Sequence, residues 1–233
     1  MLGSYAPGRS EVIDVKSSKP CKTIAKYPLR VWRTAGDVLD HKVVICGGSN
    51  FDTRSLDHNS CYAHDPDTNT WNLFARMRTE RSSHSAVAVQ DGLWVTGGWG
   101  GNRGRLEWFR STESIFLNGS VVQGVDLPSA RSGHCTVDLR DGRVMLIGGC
   151  ENPLATLKEV LVYHLSNRSF TFAPSLNEDR GDHACTLFKS VRYNHRPVIL
   201  VAGGVRRRSV EVLDFTVPGA IWQTSENCFS FNF

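Results

Sequence analysis

No uninterrupted apolar run in this chain approaches the roughly 20 residues of a membrane-spanning helix, so a helical membrane span is excluded. Charge of one sign is also scarce: 27 Lys and Arg against 23 Asp and Glu leave +4, spread along the sequence. The single basic cluster, Arg206-Arg207-Arg208, falls where a loop is expected and reads as a solvated turn, not a nucleic-acid stripe. Catalytic signatures are missing too. There is no Ser-centred nucleophile elbow, no phosphate-cradling glycine loop and no His-Glu-x-x-His. Residues 1–9 lack the apolar core of a secretory leader, which favours the cytoplasm. Cysteine, by contrast, is plentiful: seven is high for a reducing compartment, and the odd number leaves at least one thiol unpaired within the chain. With the sequons Asn118-Gly119-Ser120 and Asn167-Arg168-Ser169 it keeps an extracellular location open, so the compartment is unresolved.

What the chain does have is rhythm. A glycine pair behind a short apolar strand recurs at Gly47-Gly48, Gly97-Gly98, Gly148-Gly149 and Gly203-Gly204, at intervals of 50, 51 and 55 residues. Arg81-Ser82-Ser83-His84, Arg131-Ser132-Gly133-His134 and Arg180-Gly181-Asp182-His183 keep the same beat, at intervals of 50 and 49. Two motifs on one period near 50, built from short strands, mark a β-propeller array.

The third unit shows the plan of one blade. Residues 134–139 read as a first strand, and Asp141-Gly142 supplies a tight hairpin turn. Residues 144–147 form a continuous apolar strand of the kind covered on both faces. The strand ends at Gly148-Gly149, where a missing Cβ lets the backbone bend and another segment approach. Residues 159–163 and 170–172 complete four strands. Units beginning near residues 30, 78 and 177 repeat the plan. At the N-terminus, residues 11–15 mirror residues 211–215 and so read as a third strand, with residues 22–27 as its fourth.

Glycine pairs after an apolar strand, an aromatic such as Tyr62 or Tyr163 about 14 residues on, and a fourth-strand Trp71 or Trp222 together resemble the kelch repeat. The stretch Tyr62 to Trp71 matches that family's turn closely. Unit one departs from the pattern by lacking Arg-x-x-His, and unit three carries Phe170 in place of the tryptophan. The expected fold is all-β: a kelch-type β-propeller of four complete four-stranded blades, plus a half blade at the N-terminus. The expected divisions are 1–29 (outer half of a blade), 30–77, 78–127, 128–176 and 177–226 (blades), and 227–233 (tail). Because kelch propellers carry five to seven blades, the resemblance implies an incomplete ring. It is a fragment, a four-bladed ring with an added hairpin, or half of an assembly that self-associates through an open edge.

The recurring His84, His134 and His183 are expected to bond backbone where one blade meets the next. Blade rotation points equivalent side chains in different directions and away from a shared metal. Galactose oxidase carries kelch-like repeats, and resemblance to it would imply a copper site; the five tyrosines (5, 27, 62, 163, 193) show no matching spacing with histidines. No cofactor is expected. Cys46 and Cys61 sit in paired strands, where a disulfide is allowed and two buried thiols are the alternative. Cys135 and Cys185 fall one and two residues after their histidines, on opposite strand faces, which argues against their pairing. The expected role is non-catalytic binding of another protein, as a scaffold or adaptor. Contacts are expected on the loop after Gly97-Gly98, led by Trp99, Arg103, Arg105 and Trp108. A secreted or cell-surface glycan-recognition module is the alternative.

Overall fold

The computed structural model describes residues 10–12, 22–50, 57–90, 92–102, 105–189 and 191–225. Among them every regular element is a strand except one 3-10 turn at Val191–Tyr193. Four four-stranded sheets run in chain order. They comprise Ala35–Leu39, Lys42–Cys46, Ser60–Asp65 and Thr70–Arg76; then Ser85–Val89, Gly92–Thr96, Thr112–Phe116 and Val121–Gln123. The third comprises Cys135–Asp138, Arg143–Ile147, Val160–His164 and Ser169–Ala173, and the fourth Ala184–Lys189, Pro197–Ala202, Val210–Leu213 and Gln223–Ser225. In each, a glycine pair ends the second strand. These are four blades of a kelch-type β-propeller.

Second strands are apolar on both faces because both are covered: Val44, Leu93, Val95, Val144 and Ile147 are all buried. Fourth strands lie outermost and expose residues such as Leu73 and Phe172. Contacts divide the chain into two compact units, residues 1–95 with 99–107 and 113–124, and residues 96–98 with 108–112 and 125–233. The first has a core around Val44, Cys46, Met77, Leu93 and Ile115. The second is centred on Val137, Met145, Ile147, Val160, Ile199 and Trp222.

The N-terminal half blade is present as Ser10–Val12 paired antiparallel with Lys22–Ile24. An internal comparison fixes its role. Trp222 donates its indole N–H to the carbonyl of Pro174, just after the third blade's last strand, at 2.7 Å. In the first unit Trp71 makes the same bond to Ala25, just after Lys22–Ile24, at 2.9 Å. Lys22–Ile24 therefore stands to the first blade as Ser169–Ala173 stands to the fourth. Tyr27 follows and packs edge-on against Trp71 at 5.0 Å. Burial raises the Tyr27 phenol above its ordinary range, with the nearby Tyr62 adding to the effect.

Two cysteine findings bear on the sequence reading. Cys46 and Cys61, directly paired across neighbouring strands, are joined by a disulfide with their Cα atoms 4.0 Å apart. Cys135 and Cys185 are joined as well, with Cα atoms 6.0 Å apart, against the expectation that they do not pair. The alternation argument was sound, but its conclusion was inverted. Blades pack face to face, so residues on opposite faces of corresponding strands in adjacent blades point at each other. The second bridge closes a 50-residue separation, for which loop-closure entropy predicts about 4 kcal/mol. A non-reducing peptide map of the natural protein should show a 135–185 cross-link, and mild reduction should lower stability by that order. A map with both thiols alkylatable before reduction would refute the bridge.

Candidate functional site

The glycine pairs and the Arg-x-x-His motifs share a period because each seats the other. The second glycine donates its N–H to the next motif's arginine carbonyl: Gly48 to Arg81 at 2.9 Å, Gly98 to Arg131 at 2.8 Å, Gly149 to Arg180 at 2.7 Å. A Cβ on Gly47 would lie 2.5 Å from the Arg81 carbonyl oxygen and 2.6 Å from His84 Cε1. On Gly148 it would lie 2.6 Å from the Arg180 oxygen and 3.0 Å from His183 Cε1. The imidazole occupies the volume a side chain would need. Gly203 differs, with nothing within 4 Å of its Cβ position.

The arginines point into the protein, and all three are fully buried. Arg81 pairs with Glu113 at 2.6 Å and Arg180 with Glu211 at 3.0 Å, while Arg131 pairs with Glu159. Glu113 also accepts the backbone N–H groups of Arg78 and Thr79, and Glu211 those of Asn177 and Glu178. In the third blade the residue three before the arginine is Pro128, which has no N–H to give. The acid there comes from a different register position. The first glycine bonds the carbonyls of Ser60, Ser111, Glu159 and Ser209 in the four blades, so those residues correspond. Glu113 and Glu211 lie two places further on, where blade three has Leu161 and blade one has Tyr62. Glu159 reaches Arg131 from the same strand face, two residues earlier.

The same correspondence separates the two tyrosines that shared an aromatic position in sequence. Tyr163 faces Phe170 across the strand pair and matches His64, which faces Trp71. The connection from glycine pair to third strand is two residues longer in blade one, so equal spacing from the glycines lands on different sites.

Burial is the main cause that depresses two of these histidines. His84 is held down to about 3, with the Arg81 cation as the second cause. His183 is held down to about 4 by burial and then Arg180. His134 shares a 2.8 Å hydrogen bond with Thr96 Oγ1. These imidazoles are packing groups. Among the described residues no three His, Cys, Asp or Glu side chains group to hold a metal.

The outward-facing chemistry lies elsewhere, on the connections after the second strands. The glycine-rich segment after Gly97-Gly98 is a two-stranded hairpin, Trp99–Asn102 with Arg105–Trp108. Trp99 is anchored by exchanging backbone hydrogen bonds with Ser82 at 2.8 and 2.9 Å. Both Trp99 and Trp108 are half-buried. Arg105 starts the second hairpin strand, and Arg103 lies outside the described residues. Gly101 donates its N–H to the buried carboxylate of Asp57 at 3.2 Å. Two residues the sequence reading passed over complete the arrangement. The Arg33 guanidinium lies over the Trp32 ring at 4.4 Å and the Trp99 ring at 5.4 Å. The signal that could have found them was positional: Trp32-Arg33 stands where other blades have Ser82-Ser83 and Ser132-Gly133. Of the arginine run, Arg207 is tied down by Asp179 and Glu178.

Four-stranded antiparallel blades whose glycine pairs receive a buried Arg-x-x-His define a repeat propeller. Residues 33–78 match the family model of the kelch motif, and the chain is similar to kelch-repeat proteins over most of its length. It is 25% identical to human (Homo sapiens) Kelch-like protein 38 over 179 residues, 73% of this chain and 30% of that protein. It is 26% identical to beta-scruin of Limulus polyphemus over 169 residues, 70% of this chain and 18% of that protein. The chain thus spans less than a third of these relatives. The solved structure of YjhT shares the fold with a TM-score of 0.69 at 13% identity, covering 88% of this chain and 75% of that one.

Proposed function

We propose that this chain is a non-catalytic protein-interaction module that binds a partner protein as a scaffold or adaptor. The observation that carries the reading is the Trp32–Arg33–Trp99 cluster, in which exposed Trp32 and Arg33 just before the first blade meet half-buried Trp99 on the connection after a second strand. The repeat's own polar groups, by contrast, are spent on one another. Arg81, Arg131 and Arg180 are each matched by a glutamate, and the histidines are packed against glycines. Tryptophan and arginine are the side chains that most often carry binding energy at interfaces, and strand-anchored hairpins hold them at low entropic expense. Affinity capture from native tissue with wild-type protein, against Trp99→Ala and Trp108→Ala, tests it. A specific partner should be lost from Trp99→Ala while the melting temperature stays near wild type. If Trp99→Ala instead lowers stability sharply and keeps its partner, the indole is core and the reading fails.

A second reading, an extracellular recognition module, is supported by two observations. Both disulfides lie between strands, and both sequon asparagines sit in exposed turns joining third and fourth strands. There Asn118 accepts from the Ser120 hydroxyl at 2.7 Å and Asn167 from Ser169 at 2.8 Å. The peptide map of the natural protein reads whether these asparagines carry glycans, which decides between the two settings.

A further inference from the structure

Among the described residues Arg33 is the cation whose guanidinium lies over indole faces. Arg81, Arg131, Arg180 and Arg207 all have carboxylate partners. The Arg33 guanidinium has none among the described residues, and its recorded contacts are the two indole faces. Asp57, the buried acid of the adjoining connection, accepts from Gly101 instead. The backbone at Arg33 is left-handed, φ 58, like Ser83, Gly133 and Asp182 at the same place in the other blades. Its carbonyl accepts the Ser83 N–H at 2.9 Å. Only here does that fixed turn present a long side chain, and Trp32 beside it is 41% exposed.

We propose that Arg33, held between Trp32 and Trp99, is the receptor for a carboxylate side chain of an acidic segment on the partner protein. This deepens the interaction reading and rests on it. Stacking a guanidinium on an aromatic face leaves its edge, with its forked N–H donors, free for a planar bidentate acceptor. A carboxylate fits that fork, and the flanking indoles lower the local dielectric and exclude water around the pair. A cationic partner is disfavoured by the unmatched positive charge, and an amide can accept at the fork without the charge-assisted gain. The cluster is thus selective for Asp or Glu over Asn or Gln in the same peptide frame.

The test uses defined probes on the whole chain: blocked tetraglutamate and blocked tetraglutamine peptides, titrated while the arginine Nε–H resonances are followed by NMR. The Arg33 resonance is identified by its absence in Arg33→Lys. Expected is a saturable Arg33 shift with the glutamate peptide, at least about tenfold tighter than with the glutamine peptide, as one charge-assisted pair implies. Arg33→Lys, which keeps the charge but loses fork and stacking, should weaken binding severalfold, and Trp99→Ala should do likewise. Added salt should weaken it further. Equal affinity for both peptides, or shifts confined to other arginines, overturns the proposal. Partner capture that needs Trp99 but is untouched by Arg33→Ala would remove the acidic-segment claim and leave the interaction module standing. Unchanged melting temperatures for Arg33→Lys and Arg33→Ala exclude misfolding as the cause.

Discussion

Glu113→Ala should be among the most destabilising single substitutions in the chain, costing about 3–5 kcal/mol in urea denaturation, because it takes the carboxylate away from a buried cation. Arg81 is fully buried, and Glu113 is its recorded carboxylate partner, itself only 2% exposed. The same change also takes acceptors from the Arg78 and Thr79 N–H groups. Burial already pulls the Arg81 guanidinium below its ordinary range, and Glu113 works against that. Glu211→Ala should cost a similar amount, since Glu211 is likewise fully buried against Arg180 and accepts the Asn177 and Glu178 N–H groups. Glu159→Ala should cost least, because Glu159 is 33% exposed and Arg131 keeps Ser129 and the Gly148 carbonyl. Blade one shows how the loss is repaired. Bridge pairing aligns Trp32 with Ser82, so Val31 stands at the arginine position and Tyr62 at the glutamate position. The double variant Arg81→Val with Glu113→Tyr should therefore recover most of the stability lost in Glu113→Ala. If the three glutamate variants were equally mild, the buried pairs would not be holding the blades as described.

The repeat period, the four strands of each blade and the glycine positions were legible because each rests on local chemistry: apolar runs, turn residues and missing side chains. The seating of histidine on glycine was half legible, as a shared period without a contact. The Glu113 and Glu211 partners were not legible. A glutamate in a strand looks like any solvated acid until the neighbouring segment folds over it, and Glu159 reaches its arginine from another register. Blade-to-blade stacking also defeated the cysteine argument, since alternation reports faces within one strand and says nothing of which faces meet. Arg33 was passed over because the departure of blade one from Arg-x-x-His read as a loss. Its value lies in Trp99, which is 66 residues away in sequence and beside it in space.

Mild acid should destabilise this protein well above the range where carboxylates titrate. His84 and His183 stay neutral in the folded chain, depressed to about 3 and about 4 from 6.5. Unfolded, both imidazoles bind a proton below about pH 6.5. Between that value and the folded values the unfolded state holds the extra protons, so stability falls as the pH falls. Above about pH 6.5 neither group contributes a penalty. Each imidazole adds up to about 1.4 kcal/mol per pH unit inside the window. By pH 5 the two together should have removed about 4 kcal/mol relative to pH 8. The loss from His183 levels off near pH 4, and that from His84 continues toward 3. Asp65 and Asp179 are shifted the other way, below 3.8, so their contribution is lost only below about pH 3.8 and leaves the range from pH 6.5 to 5 to the histidines. Urea midpoints at pH 8, 6.5, 5.5 and 5 separate the two groups of residues. His84→Gln and His183→Gln should each be less stable than wild type at pH 8, because the glycine seat is emptied of its imidazole. Each should nonetheless show a shallower slope than wild type between pH 6.5 and 5, and the double variant a shallower one still. A wild-type midpoint constant down to pH 5, or Gln variants that keep the full slope, would mean that these imidazoles accept protons without leaving their seats.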